Sequence, residues 1–391
     1  MKNIVLLYDF LSEDGGIERV LEFQAKTLRS AGFNVKIAFA FVNEESKSRF
    51  KDFEVIEYSK LPFGLKNETF QILLSFFSNR SLKYFSDSEL IITHSFPSSY
   101  IAYRLKKKNC TPYIQFLHHH PQFLYFRKVE WAVNTLKRKI AFFAGFVGGY
   151  FLKKVDKKCV NSADGIMVNS NMVSKIAANL YNVKSEVIYP PVDDTFLRTN
   201  YDKNTLRKYK IEGNYILASG RIVKLKRFDY LLEAFSKLPE NLKKNNQIIF
   251  AGKENEKERE NLDILAKNLN ISDKVRFLGP INKKDLASLY SFAKLTVLTC
   301  PGEYFGLVPV EAMACGCPVV AWKDNSGPEE TVKNQISGFL TKPYDTSELS
   351  KNIQKTLEKK WDKKKIIRSI DKFCGKQIKN YFLRSLSKVK F

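Results

Sequence analysis

Short apolar runs alternate with amphipathic segments along the whole chain. Residues 4–8 and 35–41 form strand-like runs, and residues 17–29 between them repeat their apolar positions at helical spacing. Strand-like runs separated by helical segments predict parallel β-sheets with helices packed on their faces. Further strands of the first half are predicted at residues 90–93, 112–117 and 165–168.

The alternation starts again after a turn-rich segment, YPPVDDTF, at residues 189–196. Beyond it, strands are predicted at residues 215–218, 247–250, 275–278, 295–298 and 319–321. Pro190 and Pro191 stiffen the connection, and a chain of 391 residues exceeds what one hydrophobic core usually supports. The pattern therefore predicts an α/β protein with two Rossmann-like domains, residues 1–192 and 193–370. Each domain is a doubly wound parallel sheet, and the carboxyl-end loops of the two sheets are expected to face each other across a cleft.

The stretch GEYFGLVPVEAMACGCPVVA, residues 302–321, carries the densest candidate chemistry. Glu303 precedes an aromatic-glycine turn, and Glu311 lies one turn inside the helix that follows, which is predicted to end at Cys315 and Gly316. A helix that begins at the carboxyl end of a parallel strand offers free backbone amides to phosphate or sugar oxygens. The amides expected to do so belong to Phe305, Gly306, Leu307 and Val308.

The two glutamates have different predicted partners. Carboxylates accept hydrogen bonds from adjacent hydroxyls, so Glu311 in the helix suits a ribose diol and Glu303 in the loop suits a sugar. The alternative is a pair of solvated carboxylates beside an ordinary apolar core.

A basic loop follows the predicted strand at residues 215–218. Gly220 and Arg221 come directly after it, and Lys226 follows five residues later. An arginine fork and a lysine charge suit a diphosphate, both for binding it and for stabilising it as a leaving group. A solvated basic loop is the alternative, because Lys224 and Arg227 add further charge nearby.

In the first half, Gly15 and Gly16 separate the first strand from the helix that begins near Ile17 and Glu18. A glycine pair there lets the backbone approach a ligand, with helix amides aimed at a phosphate. A plain strand-to-helix turn explains the pair equally well.

Three consecutive histidines, His118, His119 and His120, follow the strand predicted at residues 112–117. A metal site is disfavoured, because adjacent residues of an extended segment point to opposite sides and no acidic ligand lies nearby. A single imidazole that hydrogen-bonds substrate hydroxyls is the better hypothesis, and a structural histidine is the alternative.

The formal net charge of +24 is concentrated in two stretches. Residues 101–160 carry 13 Lys and Arg against 2 Asp and Glu, and residues 351–391 carry 14 against 3. Nucleic-acid binding is disfavoured, because neither stretch contains a zinc finger, an arginine-rich recognition helix or an aromatic RNP pattern. An anionic membrane surface or a polyanionic acceptor fits this charge at least as well.

The location predicted from the sequence is cytoplasmic. No uncharged apolar run reaches about 18 residues, the first residues do not fit a signal peptide, and the six cysteines are scattered. Segments 61–77 and 137–158 combine aromatic residues with lysine borders. We expect one or both to rest on the cytoplasmic face of a membrane, with a buried core helix as the alternative for residues 140–152.

Together these motifs resemble the family-4 retaining glycosyltransferases of the GT-B fold, also called glycosyltransferase group 1. The resemblance extends to GGIERV at residues 15–20, SADGIMVNSNMVSKI and VIYPPVD within residues 162–193, VRFLGPINKKDLASLYSFA from Val275, and SGPEETV from Ser326. It covers nearly the whole chain. It implies a nucleotide-sugar site in the second domain and a basic last helix, within residues 371–391, that crosses back to the first domain.

The resemblance also assigns roles to single positions. Glu303 would bind the transferred sugar, Glu311 the ribose, and His118 would face the sugar. The catalytic set would be His118, Glu303, Arg221 and Lys226. The donor-binding set would be Gly16, Arg221, Lys226, Lys253, Ile281, Glu303, Phe305, Gly306, Leu307, Val308 and Glu311. The acceptor-binding set would be Gly15, Gly16, Glu18 and His118.

The segment FLHHHPQFLY is similar to the His-x-Pro-Pro-Arg-x-x-Tyr loop of members that act on lipid-linked glycans, often mannosyltransferases. His120 and Gln122 stand where proline and arginine are usual, and Arg227 stands where glycine usually follows the loop lysine. These departures leave the identities of donor and acceptor open.

The expected activity is retaining transfer of a hexose, of mannose or glucose type, from a UDP or GDP sugar to a glycan or lipid-linked acceptor. No cofactor or metal is expected, because Arg221 and Lys226 would neutralise the leaving diphosphate. One alternative is a non-catalytic nucleotide-sugar or polyanion-binding protein. The other is a glycoside hydrolase that uses Glu303 and Glu311, although a hydrolase has no use for diphosphate-binding cations.

Overall fold

The computed structural model describes residues 2–11, 15–59, 71, 80–122, 124–125, 136–198 and 200–391. The chain divides into two compact units. Unit 1 comprises Met1–Pro190 and Ile378–Phe391, and unit 2 comprises Pro191–Gln377. The sequence-based division after residues 192 and 370 differs from this one by a few residues at each point. Residues 191–192 and residues 371–377 both cluster with unit 2.

Unit 1 contains a seven-stranded sheet with the order β3-β2-β1-β4-β5-β6-β7, and all its strand pairs are parallel. Its strands are β1 (Asn3–Leu11), β2 (Asn34–Val42), β3 (Glu54–Glu57), β4 (Leu90–Thr93), β5 (Tyr113–Leu117), β6 (Gly165–Val168) and β7 (Glu186–Val187). Its helices are α1 (Gly16–Ser30), α2 (Glu44–Lys47), α3 (Arg80–Tyr84), α4 (Ser98–Asn109), α5 (Leu136–Asn161) and α6 (Asn171–Tyr181), with a 3-10 turn at Ser48–Phe50.

Strand β1 shows how the sheet of unit 1 is buried on both faces. Alternate side chains of a strand point to opposite faces. Ile4 and Leu6 accordingly join one hydrophobic cluster, and Val5 and Leu7 join another. Helices therefore cover both faces, as expected for an all-parallel sheet.

Unit 2 contains a six-stranded parallel sheet with the order β10-β9-β8-β11-β12-β13. Its strands are β8 (Asn214–Ser219), β9 (Asn246–Ala251), β10 (Val275–Phe277), β11 (Leu295–Leu298), β12 (Val319–Trp322) and β13 (Gly338–Thr341). Its helices are α7 (Asn204–Lys208), α8 (Asp229–Ser236), α9 (Glu240–Asn245), α10 (Glu256–Asn268), α11 (Lys283–Phe292), α12 (Leu307–Ala314), α13 (Pro328–Thr331), α14 (Thr346–Glu358) and α15 (Lys363–Arg368). Four 3-10 turns complete the description: Asp194–Leu197, Lys224–Lys226, Ser272–Lys274 and Asp371–Phe373.

The last helix, α16 (Gly375–Leu386), ends the chain against unit 1. Ile378, Phe382 and Leu386 repeat every four residues, so they lie on one face of the helix, and they join the core that contains β1 and β2. At the surface, the Lys379 ammonium donates to Ser30 Oγ at 2.9 Å. The C-terminal segment is thus part of the core of unit 1.

The predicted fold class, two Rossmann-like parallel sheets, is confirmed. Strands β3, β7 and β13 were not predicted from the sequence. They lie at sheet edges, and β3 and β7 are short and carry glutamates, so their hydrophobic signal is weak.

The structure describes only one of the two segments that combine aromatic residues with lysine borders. Residues 61–77 lie outside the described residues apart from Gln71, whereas residues 137–158 fall within helix α5. In the part of the chain that the structure describes, no helix has both the length and the apolar character needed to cross a bilayer.

Candidate active site

The carboxyl ends of β8 and β11 form the topological switch point of unit 2. The sheet runs outward from β8 through β9 to β10 in one direction and from β11 through β12 to β13 in the other. Loops that leave such a point in opposite directions open a crevice in which doubly wound sheets bind ligands. The loop after β8 carries Arg221 and Lys226, and the loop after β11 carries Glu303.

The two loops meet through an ion pair. The Lys226 ammonium donates to Glu303 Oε2 at 2.9 Å, and the two side chains are 21% and 26% exposed. The Lys226 ammonium holds the pKa of Glu303 below its ordinary value. Burial alone would lower the pKa of Lys226, but the Glu303 carboxylate raises it overall. Both groups are therefore charged at neutral pH, in a position that solvent still reaches.

Glycines allow the strand ends beside this pair to approach closely. The Gly220 N–H donates to the Ala251 carbonyl at 2.9 Å, and the Gly252 N–H donates to the Gly279 carbonyl at 2.8 Å. Gly252 has a φ of +155°, and a Cβ at this position would lie 1.9 Å from the Gly220 carbonyl oxygen. The loops after β8, β9 and β10 therefore form one continuous backbone surface.

The start of α12 is held by the segment that follows β12. The Gly302 N–H donates to Asp324 Oδ2 at 2.7 Å, and the Gly327 N–H donates to the Glu303 carbonyl at 2.7 Å. Gly306, with a φ of +85°, precedes the first residue of the helix. The positive end of α12 and its first amides, which have no partners within a helix, thus lie directly after Glu303.

Glu311 lies on α12 and is 4% exposed. Together with burial, its carboxylate raises the pKa of Tyr290 well above the ordinary value, so the two groups are close. The Tyr290 hydroxyl pairs with Ser219 Oγ, at the end of β8, at 2.5 Å. Glu311 is therefore positioned by the core beneath the switch point, and Glu303 by the loop above it.

Three other donor residues predicted in unit 2 lie after neighbouring strands of the same sheet. Arg221 and Lys253 are exposed, and Ile281 is half-buried. Lys253 follows β9 and Ile281 follows β10, and the Lys253 carbonyl accepts from the Ile222 N–H at 2.8 Å. All three thus lie at the carboxyl edge of the sheet.

Arg227 stands where family-4 glycosyltransferases usually have glycine, and its backbone adopts a conformation that favours glycine. Its φ is +51°, in the left-handed region that costs a residue with a side chain roughly 1 kcal/mol. The guanidinium forks onto the Asp229 carboxylate at 2.8 to 3.2 Å and lies 4.1 Å from the centre of the Tyr230 ring. These contacts hold the side chain against α8.

In unit 1 the corresponding switch point lies between β1 and β4. Gly15 and Gly16 lead into α1, and Glu18 in its first turn is 5% exposed. A Cβ at Gly15 would lie 2.6 Å from Glu18 Oε2. The glycine thus makes room for the carboxylate to fold back toward the start of the helix.

His118 follows β5 and pairs with His94, which follows β4. His118 Nε2 and His94 Nδ1 are 2.9 Å apart, and Phe116 stacks on His94 with its ring centre 5.3 Å away. Burial lowers the pKa of His94 to about 3 and that of His118 well below its ordinary value. Both imidazoles are therefore neutral and share one proton between the facing nitrogens. The Asn169 amide fixes the His118 backbone by donating to its carbonyl at 3.0 Å.

Three functional candidates at these strand ends were not found from the sequence. Asp9, near the end of β1, is buried, accepts from the Ser98 N–H at 2.6 Å and from the Ser95 hydroxyl, and has its pKa raised to about 6 by burial. His94 and Asp324 are the other two. The available signal was position, since each is a polar residue one to three positions after the end of a predicted strand.

Two doubly wound parallel sheets, each with polar groups gathered at its switch point, define a two-domain α/β protein whose candidate ligand-binding groups lie at the carboxyl ends of its strands. Two family models match the chain. The one described as Glycosyltransferase Family 4 matches residues 14–196, and the one described as Glycosyl transferases group 1 matches residues 202–373. Together they take in most of the chain, which therefore belongs to the family-4, or group 1, glycosyltransferases. The family and the GT-B fold predicted from the sequence are confirmed.

Similar proteins are known by sequence and by structure. D-inositol 3-phosphate glycosyltransferase of Mycobacterium sp. (strain KMS) is 32% identical over 214 residues, which are 52% of this chain and 47% of that protein. The chain thus matches about half the length of this curated relative. Anabaena HepE in complex with UDP superposes with a TM-score of 0.76 at 18% identity, over 99% of this chain and 100% of that one. HepE in complex with UDP-glucose gives a TM-score of 0.74 at 20% identity, over 98% and 99%.

Proposed function

We propose that this protein is a retaining glycosyltransferase that moves a hexose from a nucleoside diphosphate sugar to a glycan or lipid-linked acceptor. The observation that carries the proposal is the Lys226–Glu303 ion pair beside the start of α12. It places a cation, a carboxylate and helix amides at one switch point, where a diphosphate, sugar hydroxyls and phosphate oxygens each find a partner.

In the proposed donor complex, Lys226 and Arg221 bind the diphosphate and stabilise the charge that develops on it as it leaves. They supply the positive charge that metal-dependent transferases take from a divalent cation, so we expect transfer without added metal. Glu303, released from Lys226 by the incoming diphosphate, accepts from sugar hydroxyls. Glu311 accepts from the ribose, because it lies on the helix whose first amides bind the phosphate.

The structural likeness to HepE favours a uridine nucleotide. HepE was solved with UDP and with UDP-glucose. UDP-hexoses are therefore the first donors to test, of glucose type before mannose type, and GDP-hexoses are the second group.

Retention follows from front-face transfer, in which the departing diphosphate takes the proton of the acceptor hydroxyl. His118 contributes as a neutral imidazole that hydrogen-bonds the transferred sugar, since burial keeps its pKa far below neutrality. Gly15, Gly16 and Glu18 are proposed to contact the acceptor.

For the acceptor, we propose a lipid-linked glycan at an anionic membrane. Helix α5 exposes Tyr150 and Phe151, at 72% and 69%, and Lys154 and Lys157 lie exposed close behind them. The Lys154 ammonium lies 4.4 Å from the centre of the Tyr150 ring. Exposed aromatic side chains with lysines beside them suit the interface of an anionic membrane. Co-sedimentation with vesicles tests this, and binding that ignores lipid charge and salt would contradict it.

The deciding experiment is a thermal-shift and transfer screen with UDP- and GDP-sugars. We expect stabilisation by one nucleotide family, and Glu311→Ala should weaken binding by roughly 10- to 100-fold, because hydrogen bonds to a charged group are lost. Glu240→Ala is the control, because the Glu240 side chain on α9 is 90% exposed. This variant should bind the nucleotide as tightly as the wild type does.

Two outcomes would replace the proposal. Hydrolysis of a glycan without any nucleotide sugar would indicate a glycosidase. Tight binding of nucleotide sugars or polyanions with no transfer from any donor would indicate a binding protein.

A further inference from the structure

A buried carboxylate in unit 1 has no part in the chemistry proposed above. Asp156 lies on α5 and is 1% exposed. A carboxylate buried to this degree persists only where hydrogen bonds satisfy it. Its partners therefore show what it holds in place.

Two phenols donate to one oxygen of this carboxylate. The hydroxyl of Tyr125 lies 2.7 Å from Asp156 Oδ2, and the hydroxyl of Tyr181 lies 2.9 Å from the same atom. The two rings meet edge to face, with centres 6.0 Å apart. Tyr181 is the last residue of α6, so the carboxylate joins α5, α6 and the segment that contains Tyr125.

The carboxylate is ionised at neutral pH, which strengthens both hydrogen bonds. Burial raises the pKa of Asp156 to about 6, while the two phenols and Lys157 act in the opposite direction. Of the three groups that lower this pKa, only Lys157 is a cation, and it is exposed. The phenols therefore provide the buried support for the charge.

Tyr125 stands seven positions after His118 and belongs to the same segment. Within this segment, the Leu124 and Tyr125 N–H groups donate to the Pro121 carbonyl at 2.9 and 3.2 Å, which closes a turn. The His120 ring meets the Tyr125 ring edge to face, with centres 6.1 Å apart.

The segment is therefore fastened at two points. At its start, the Asn169 amide holds the His118 carbonyl, as described above. At Tyr125, the Asp156 carboxylate holds the phenol.

We propose that Asp156 is a positioning residue for transfer, because through Tyr125 it holds the segment that begins at His118 at the carboxyl edge of the sheet of unit 1. The proposal rests on the function proposed above, in which His118 contacts the transferred sugar. It also gives a physical role to Tyr125, which is the last residue of the FLHHHPQFLY segment.

The test is a matched pair of single-hydroxyl deletions. Tyr125→Phe and Tyr181→Phe each remove one donor to the same oxygen, but only Tyr125 belongs to the His118 segment. We expect Tyr125→Phe to lower kcat by about 10- to 100-fold, with the KM for nucleotide sugar nearly unchanged, because displacement of a catalytic group by about 1 Å has effects of this size. Both variants should lower the melting temperature by similar amounts, because each loses one hydrogen bond to the carboxylate. Tyr181→Phe should nevertheless leave kcat within about twofold of the wild type.

A second pair of variants tests the carboxylate itself. Asp156→Asn keeps an oxygen that accepts from both phenols, so it should retain most of the wild-type kcat. Asp156→Leu keeps a similar volume without an acceptor, so it should resemble Tyr125→Phe. Equal kcat values for the asparagine and leucine variants would overturn the proposal.

Hydrogen exchange separates a failure of this inference from a failure of the proposed function. The amides of residues 118–122 should exchange faster in Tyr125→Phe than in Tyr181→Phe, whether or not a donor has been found. If the wild-type protein transfers no sugar, the proposed function fails, and the exchange rates still decide whether Asp156 holds the segment. Equal exchange in the two variants, or equal loss of kcat, would show that Asp156 only stabilises the fold.

Discussion

The buried Asp156 carboxylate makes the stability of unit 1 depend on pH in a direction that can be calculated. Its pKa is about 6 in the folded protein and about 3.9 in an unfolded chain. Between these values the folded state binds more protons than the unfolded state, so the free energy of unfolding decreases as the pH rises. The contribution is fully present below about pH 4 and has been lost above about pH 6.

The size of the effect follows from the shift in pKa. A shift of about two units at about 1.4 kcal/mol per unit gives a loss of about 3 kcal/mol between about pH 4 and pH 7. Asp156→Asn has no proton to release, so this part of the pH dependence should disappear. The phenols of Tyr125 and Tyr181 keep an oxygen partner in the variant, which makes a large structural change unnecessary.

The assay is urea unfolding followed by circular dichroism at several pH values, with the two units fitted as separate transitions because a protein of two units need not unfold in one step. Asp9 provides a parallel case, since burial raises its pKa to about 6 as well. Asp9→Asn should remove a similar part of the pH dependence, and the double variant should remove both. If Asp156→Asn and the wild type lose stability in parallel from about pH 4 to pH 7, within about 1 kcal/mol, the linkage reasoning is refuted.

Three further predictions concern the candidate active site. Gly327→Ala should lower both the melting temperature and the nucleotide affinity measured by calorimetry, because its Cβ would lie 2.3 Å from backbone atoms of Phe305; unchanged values would contradict this close approach. Lys226→Met should destabilise the protein more when Glu303 is present than in a Glu303→Gln background. A double-mutant cycle of unfolding free energies should give a coupling of about 0.5–3 kcal/mol, and no coupling would mean that the ion pair is not formed in solution. His94→Leu should lower kcat by at least about tenfold, because it leaves Nε2 of His118 without a partner, whereas His94→Asn should retain most of the activity because its amide can still donate. Equal activities of the two variants would contradict a role for this hydrogen bond.

Much of the fold could be predicted from the chain itself, because apolar periodicity is a local property. The runs that became β1, β4 and β11 are continuous and apolar, and each lies in the middle of its sheet. The edge strands β3 and β7 carry charged residues that a fully buried strand could not tolerate, so their pattern resembles that of a loop. Edge positions are defined by neighbours and not by sequence, which is why these strands were missed.

The candidate site divides in the same way. The sequence by itself determined that Lys226 lies in a loop after one strand and Glu303 in a loop after another, because strand ends and turns are encoded locally. Only the tertiary structure decided that these two strands are neighbours at the switch point, so that the side chains lie 2.9 Å apart. Seventy-seven residues separate the two in sequence, and nothing local to either specifies the other.

Burial was also decided by the tertiary structure alone. The sequence shows Asp156 as one acid among the lysines of a basic helix, and His94 as a polar residue after a strand. Packing removes both from water and gives each a partner, and it shifts their pKa values to about 6 and about 3. The chain therefore determined which groups are available, and the fold determined which of them are charged, paired and held in place, because these properties depend on neighbours brought together from distant parts of the sequence.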